Sequence, residues 1–501
     1  MFCEFVVPAS LALLVLWVVY VVVLIIYRLT WHPLAKYPGP FLAKITDFYP
    51  AVQAFRGVLH TDMYECHQKY GNVIRYGPNR LGFVTEKGLK GQLPVENIYG
   101  FGKKIKKSKS YIPIHPRQGG SSTLSCIDKI QHGRKRRVMS QGLSDANVKA
   151  FEPTLIRLVD TFCTHLVPKG ETLASDGWSS PKNMPALCNW FTGDVIGEFG
   201  FGKSFGMLER PDNRYICDVI TGASFRNGTL VQYPWLKKFN LDKILYPKGL
   251  GNGLKFLDLT RKLYEERRVR GKEGNDLFAF VMDAKDPISG ESFSMENMWA
   301  ESTFLLVAGS DTSAVGLSAC FFYLSRYPDA YQKVAKEIRS AFSSVEDIVT
   351  GPQMAKCTYL NACIDEAMRM APPVSACMWP ECDVGVGIYA IHRNEEIYPE
   401  PFTFRPERWI VDEKNSEEQV AVARQGLSTF LMGPRSCIGR SFALAEMRLV
   451  MARTMFQYDF RKPNGATGQV GEVTRNVKEL HMHSHLTNYL EGPLIEFRQL
   501  A

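Results

Sequence analysis

Residues 6–27 carry no charge, and a helix of that length rises on the order of 30 Å, the depth of a bilayer's hydrocarbon core. The pattern predicts one N-terminal transmembrane helix. A cleaved signal peptide fits less well, because the apolar run is too long and no small-residue cleavage site follows it. Pro38-Gly39-Pro40 cannot continue a helix and marks the start of a domain. Beyond it, apolar positions recur with helical period over 143–166, 184–199, 298–327, 330–342, 359–370 and 441–456. Strand-like stretches are short, as over 73–76 and again within the last third. No internal repeat, low-complexity tract or second linker divides the remainder. The expectation is a mainly α domain with small β-sheets over 38–501, preceded by a membrane anchor over 1–37.

Charge gives that anchor a direction. Glu4 precedes the span while Arg28, Lys36 and Lys44 follow it, so the positive-inside rule leaves everything after Arg28 in the cytosol, on a single-pass chain of the endoplasmic reticulum. The 12 cysteines form no CxxC pair, which argues against a zinc ribbon or a disulfide framework and for reduced, mostly buried thiols. In a reducing compartment the Asn227-Gly228-Thr229 sequon stays unmodified. The formal net charge of +9 suits an anionic membrane or an acidic protein partner. Nucleic acid is a poor fit, since the basic residues are dispersed and no nucleic-acid module accompanies them.

The densest chemical signal is Phe430-Leu431-Met432-Gly433-Pro434-Arg435-Ser436-Cys437-Ile438-Gly439, just before an apolar helix beginning near Ser441. A cysteine there meets backbone N–H groups and the positive end of the helix dipole, both of which favour its thiolate. The segment resembles, at every defining position, the haem-binding signature of the cytochromes P-450. That resemblance implies the cytochrome P-450 fold and haem (iron protoporphyrin IX), with Cys437 as the iron's thiolate ligand. It further implies that Phe430 packs beside the sulfur, that Arg435 pairs with a haem propionate, and that Gly433 and Gly439 let the backbone approach the cofactor. A thiolate ligand favours O–O cleavage by pushing electron density onto iron.

Three further constellations support the resemblance. Glu366 and Arg369 share a helix face, and Arg408 in Pro406-Glu407-Arg408-Trp409 resembles the family's later arginine, which reaches the same carboxylate and locks the segment beneath the haem. Ala308-Gly309-Ser310-Asp311-Thr312 places a glycine and an acid–alcohol pair within an apolar helix, a local violation that points to function. It resembles the distal motif in which a groove admits dioxygen, Asp311 relays protons and Thr312 helps deliver them. His132 and Arg136, at i and i+4, resemble propionate ligands, leaving Arg134, Lys135 and Arg137 to face an acidic flavoprotein donor. The run of Lys103, Lys104, Lys106, Lys107 and Lys109 reads as a solvated loop. His481, His483 and His485 alternate as on a strand without an evident acidic partner, which gives no metal site.

The resemblance covers the whole chain and is strongest toward the fungal benzoate 4-monooxygenase-like group of secondary-metabolite hydroxylases. Ser125-Cys126-Ile127-Asp128, residues 297–319 and Gly387-Ile388-Tyr389-Ala390-Ile391-His392 carry that finer likeness. It implies hydroxylation or epoxidation of a lipophilic small molecule with O2 and with NADPH electrons from cytochrome P-450 reductase, because the chain has no flavin domain or nucleotide-binding glycine fingerprint. One departure stands out. Met378-Trp379-Pro380-Glu381-Cys382-Asp383 runs almost directly from the Pro-Pro segment to the Pro-x-Gly turn, omitting about one hairpin of two roughly five-residue strands. The family's propionate-binding Arg or His in that region has no counterpart. Competing readings are a haem-thiolate isomerase or dehydratase, which commonly lacks the acid–alcohol pair, and a poorly active haem scaffold or an inaccurate gene model, either of which would account for the apparent deletion near 379–383.

Overall fold

In the computed structural model, residues 2–84, 107–115, 120–271, 273–274, 276–377, 379, 384–474 and 476–500 are described, the side chains of 2–9 and 248–253 excepted. Met378 and Pro380 to Asp383, where a hairpin is expected to be missing, and Lys103, Lys104 and Lys106 of the lysine run lie outside the described residues.

The principal helices are α1 (Phe2–Thr30), α2 (Lys129–Gly142), α3 (Asp145–Thr164), α4 (Met184–Phe201), α5 (Tyr215–Gln232), α6 (Pro247–Arg270), α7 (Met295–Arg326), α8 (Pro328–Ala341), α9 (Thr358–Met370) and α10 (Arg440–Gln457). The six stretches of helical period correspond to α3, α4, α7, α8, α9 and α10, with ends within about three residues. Side-chain caps explain several starts: the Asp128, Ser144, Asn183 and Ser294 side chains each accept from the backbone N–H three residues on. The strands are short: β1 (Val73–Gly77), β2 (Arg80–Phe83), β3 (Lys182–Asn183), β4 (Val384–Val386), β5 (Tyr458–Arg461) and β6 (Leu494–Gln499). They form two three-stranded sheets, ordered β1-β2-β4 and β3-β6-β5. In the first, β4 runs parallel to β2 and β1 antiparallel to it.

Two helices are long and apolar enough to span a membrane, and burial separates them. Residues Ser10–Thr30 of α1 have mean hydropathy 2.8 and none of that window is buried, whereas α7 is 67% buried over its apolar window and is the central core helix. α1 meets the domain at its C-terminal end. There the Arg28 guanidinium donates to Ile45 O at 2.5 Å, and Arg75 donates to Arg28 O at 2.7 Å.

Close approach fixes how α7 sits. A Cβ on Gly309 would come within 2.4 Å of Ile196 Cδ1 on α4, and one on Gly316 within 3.0 Å of Met447 Cε on α10. Gly309, singled out as a break in an apolar helix, is therefore required for packing against α4, and α7 is α-helical along its whole length.

Candidate haem site

α10 begins beyond a loop in which Leu431 and Gly433 both adopt positive φ, 52° and 72°. Those two left-handed residues turn the chain so that Cys437 N–H donates to Phe430 O at 2.8 Å. The loop ends at Gly439, the residue preceding α10, whose backbone N–H reaches the Cys437 sulfur. By surface area Cys437 is exposed, yet protein surrounds the thiol closely enough to desolvate it. Burial raises its pKa, and the Gly439 N–H, Arg136 and Arg440 pull the other way without overcoming it. The helix N-terminus alone thus does not make a thiolate here. A bound metal ion deprotonates a coordinating thiol outright. The Phe430 ring is half-buried at the base of the loop, 5.7 Å under the Arg440 guanidinium.

Basic side chains from three segments gather above the loop. Arg136 of α2 donates through Nη1 to Ser436 O at 2.5 Å and through Nη2 to Ser436 Oγ at 3.1 Å. Arg435 donates to Cys126 O at 2.8 Å and to Ile127 O at 3.2 Å. His132 is buried; burial first, then Arg435, Arg136 and Lys107, bring its pKa down to about 3. Burial also lowers the pKa of Arg136 and Arg435. None of the four is paired with a carboxylate among the described residues. Two half-buried guanidiniums beside a neutral imidazole, with no counter-anion among the described residues, favour binding of an anion. A ligand bringing two carboxylates beside a soft metal matches this donor set, and haem with its propionates is such a ligand.

Support comes from a fully buried ion cluster on α9. Glu366 Oε2 and Oε1 accept from Arg369 Nε and Nη2, each at 2.9 Å, and Oε1 also accepts from Arg408 Nε at 2.9 Å. Arg405 N–H and Trp409 Nε1 add donations at 2.9 and 3.0 Å. Burial would raise the Glu366 pKa, but Arg369 and Arg408 bring it to about 2. From this cluster a second tie reaches the cysteine loop, one the sequence did not announce. His392 Nδ1 lies 3.0 Å from Arg369 O, and His392 Nε2 accepts from Ser428 N at 3.0 Å, so a neutral ring with its proton on Nδ1 serves both contacts. The signal available was His392 itself, a lone histidine in an apolar stretch.

On the distal side, Asp311 and Thr312 do not touch each other. The Asp311 carboxylate accepts from the Thr487 hydroxyl, which is 2.6 Å from Ser224 Oγ on α5. Burial raises the Asp311 pKa to about 6 against the Thr487 hydrogen bond. Thr312 Oγ1 donates to Ala308 O at 2.6 Å within α7. One residue further on, Ser313 bonds Glu446 of α10, whose pKa burial pushes up to about 8.

Several expectations are corrected. Lys135 is buried and donates to Ser121 O and, at 2.7 Å, to Asn297 Oδ1. Arg134 pairs with Glu291, and Arg137 pairs with Asp286 at 2.5 Å. Lys135 is thus withdrawn from any partner surface, whereas Arg134 and Arg137 form ion pairs that leave them partly exposed. Lys107, read as part of a solvated run, is buried at 7% exposure. His483 has an acidic neighbour after all, Glu491 at 3.4 Å, and among the described residues no three or more His, Cys, Asp or Glu side chains cluster as metal ligands.

A protein-family model described as cytochrome P450 matches residues 38–472. The chain belongs to the cytochrome P450 family. With the family comes haem-thiolate iron as its cofactor. Among similar P450 proteins are cytochrome P450 monooxygenase apf7 of Gibberella fujikuroi (39% identical, covering 98% of both chains), cytochrome P450 monooxygenase poxM of Penicillium oxalicum (37%; 95% of this chain and 92% of that one) and cytochrome P450 monooxygenase AKT7 of Alternaria alternata (35%; 96% and 95%). The apf7 alignment runs over 528 positions, more than the 501 residues of this P450, so that relative has segments with no counterpart here.

Proposed function

We propose that this P450 is a monooxygenase of secondary metabolism that inserts one atom of O2 into a C–H or double bond of a lipophilic small molecule, with Cys437 as the iron ligand. The observation that carries the reading is the convergence of Arg136, Arg435 and buried His132, with no carboxylate partner among the described residues, on the Cys437 loop at the start of α10. Its relatives' names and family support the same class of activity. When bound, haem supplies the iron centre at which O2 is activated. His132, Arg136 and Arg435 hold its carboxylates, and the Glu366 cluster keeps the supporting segment rigid. Asp311, with a pKa near 6, can take and give a proton near neutral pH, and the Thr312 hydroxyl can turn from Ala308 O to pass one on. Electrons come from a separate reductase, for which NADPH–cytochrome P450 reductase is the proposed donor. The domain boundary at 37/38, the anchor over Ser10–Thr30 and a cytosolic catalytic domain on the endoplasmic reticulum belong to the same proposal. The isomerase and dehydratase reading is set aside, since Asp311 and Thr312 are both present and the named relatives are monooxygenases.

The test is a screen of lipophilic compounds for ligand-induced shifts of the haem absorbance, followed by turnover of each hit under 18O2 with reductase and NADPH. Product gaining one labelled oxygen is expected. Conversion without label would point to the isomerase or dehydratase class.

A further inference from the structure

Asp311 on α7 is reached by hydroxyls from two other elements. The strands His483–Ser484 and Asn488–Tyr489 pair as a short hairpin whose turn carries Thr487. The Thr487 hydroxyl donates to Asp311 Oδ2 and lies 2.6 Å from Ser224 Oγ of α5. Ser224 Oγ in turn accepts from Thr487 N–H at 2.8 Å and stands 3.2 Å from Thr487 O, to which it can donate. All three side chains are buried. On α7, Ser310, Thr312 and Ser318 each donate to the carbonyl four residues back. Ser224 and Thr487 instead bond one another across two elements, in a chain that ends at the carboxylate.

The turn has little room to follow a change of charge. A Cβ on Gly228, one helical turn beyond Ser224, would come within 2.8 Å of His485 C and Leu486 N, and Leu486 N–H donates to Ser224 O at 3.2 Å. Toward the rest of the domain, Ser484 N–H donates to Gly57 O at 2.6 Å and Asn488 N–H to Pro373 O at 2.8 Å. With the backbone pinned, the response falls to the hydroxyl hydrogens. When Asp311 is ionised, Ser224 O–H points to Thr487 Oγ1 and Thr487 O–H to the carboxylate. When Asp311 is protonated it donates to Thr487 Oγ1, Thr487 O–H turns to Ser224 Oγ, and Ser224 O–H turns to Thr487 O. Each hydroxyl keeps its own hydrogen, and the proton gained or given passes at the carboxyl. The neighbouring ionisable groups are otherwise engaged. Cys217 of α5 is a thiol that burial pushes up to about 12, and Arg226 of the same helix pairs with Asp242. His485 of the turn is brought down to about 4 by burial, Asp194 of α4 accepts from Met207 and Leu208 N–H, and Glu446 of α10 bonds Ser313. Burial and the Thr487 hydroxyl are what act on Asp311.

We propose that Thr487 and Ser224 are positioning residues for the distal acid: a two-hydroxyl chain whose direction reverses with the protonation of Asp311, so that the acid exchanges its proton while α5, α7 and the hairpin turn stay in place. The proposal rests on the monooxygenase reading above, in which Asp311 relays protons.

The experiment follows the infrared C=O band of protonated Asp311, assigned by its absence in Asp311→Asn, against pH in the full-length holoenzyme. Wild type is compared with Thr487→Val, Thr487→Ala, Thr487→Ser and Ser224→Ala, beside the pH profile of NADPH oxidation with reductase. Thr487→Val and Thr487→Ala remove the donor to the ionised acid, so the midpoint should rise by about one unit or more. Ser224→Ala removes the acceptor that Thr487 O–H needs when Asp311 is protonated, so the midpoint should fall. Thr487→Ser should stay close to wild type, and the NADPH profile should move with the band in every variant. An unmoved midpoint in both Thr487→Val and Thr487→Ala would overturn the proposal. Shifts of the same direction in Thr487→Val and Ser224→Ala would mark loosened packing and overturn it too, as would a band that moves without the NADPH profile. The band reports Asp311 whether or not oxygen reaches a product, so these failures leave the monooxygenase reading standing, and failure of the 18O2 test would remove that reading without moving the band.

Discussion

At the scale of single residues, the site is defined by how burial competes with partners. Cys437 is a desolvated thiol, and the Gly439 N–H, Arg136 and Arg440 do not bring its pKa down to the ordinary value. Because the red-shifted carbon monoxide spectrum of the reduced enzyme depends on a thiolate ligand, Cys437→Ala should remove it; a normal spectrum in the variant would move the ligand elsewhere. Glu366 is the opposite case, a buried carboxylate whose two guanidiniums win. Its folded pKa, about 2, lies below the ordinary value of 4.5. The stabilisation is thus fully present above about pH 4.5 and is lost as pH falls through that value toward 2. Acid titration of the holoenzyme should show loss of thiolate-ligated haem beginning in that window. Glu366→Gln leaves Arg369 and Arg408 buried without an anion, at a cost of about 3–5 kcal/mol. It should give little folded haem protein at any pH, read as the ratio of haem absorbance to protein; near-normal yield would show that the backbone carbonyls around Arg369 suffice.

Among the elements, what the sequence disclosed depended on how local the cause was. α3, α4, α7, α8, α9 and α10 follow from apolar period alone, because each buries a face of its own. The glycine of α7 was legible as an anomaly, but its cause, Ile196 on α4, lies more than 100 residues away and was not. Lys135, Arg134 and Arg137 looked solvated because their partners Asn297, Glu291 and Asp286 are about 150 residues distant. Lys107 sits in a lysine run, and only the fold decides which member is buried. α1 is the element that stands most apart, with no buried residue over Ser10–Thr30. Removing the residues before Pro38 should leave a folded haem protein that partitions far less into membranes on flotation. Undiminished flotation would assign membrane binding to the catalytic domain, where Phe41, Trp235, Phe239 and Ile244 are exposed.

For the molecule as a whole, the first sheet is small at the edge that follows α9. β4 has three residues and, among the described strands, pairs with β2 alone. Its far edge is served by the isolated Cys377–Gly387 bridge. Each ladder hydrogen bond that a longer sheet would add is worth about 0.5–1.5 kcal/mol net. Inserting a hairpin of a similar P450 between Pro380 and Asp383 should raise haem occupancy at equal protein yield. Full occupancy in both forms would mean the fold has closed over the gap.

The contacts that build the haem site join parts of the chain far apart in sequence. Arg136 meets Ser436 across 300 residues, and Arg435 meets Cys126 across 309. At roughly 5–20 residues per second, α2 leaves the ribosome about 15–60 s before the Cys437 loop exists. For that interval His132 and Arg136 have no loop to close against, so the nascent chain offers haem no thiol and only part of its cation set. Cofactor capture is thereby deferred until synthesis is almost finished, and the cell must present haem to a completed chain. Ribosome-stalled chains ending before Phe430 should retain no haem when pulled down in its presence, whereas chains carrying α10 clear of the exit tunnel should retain it.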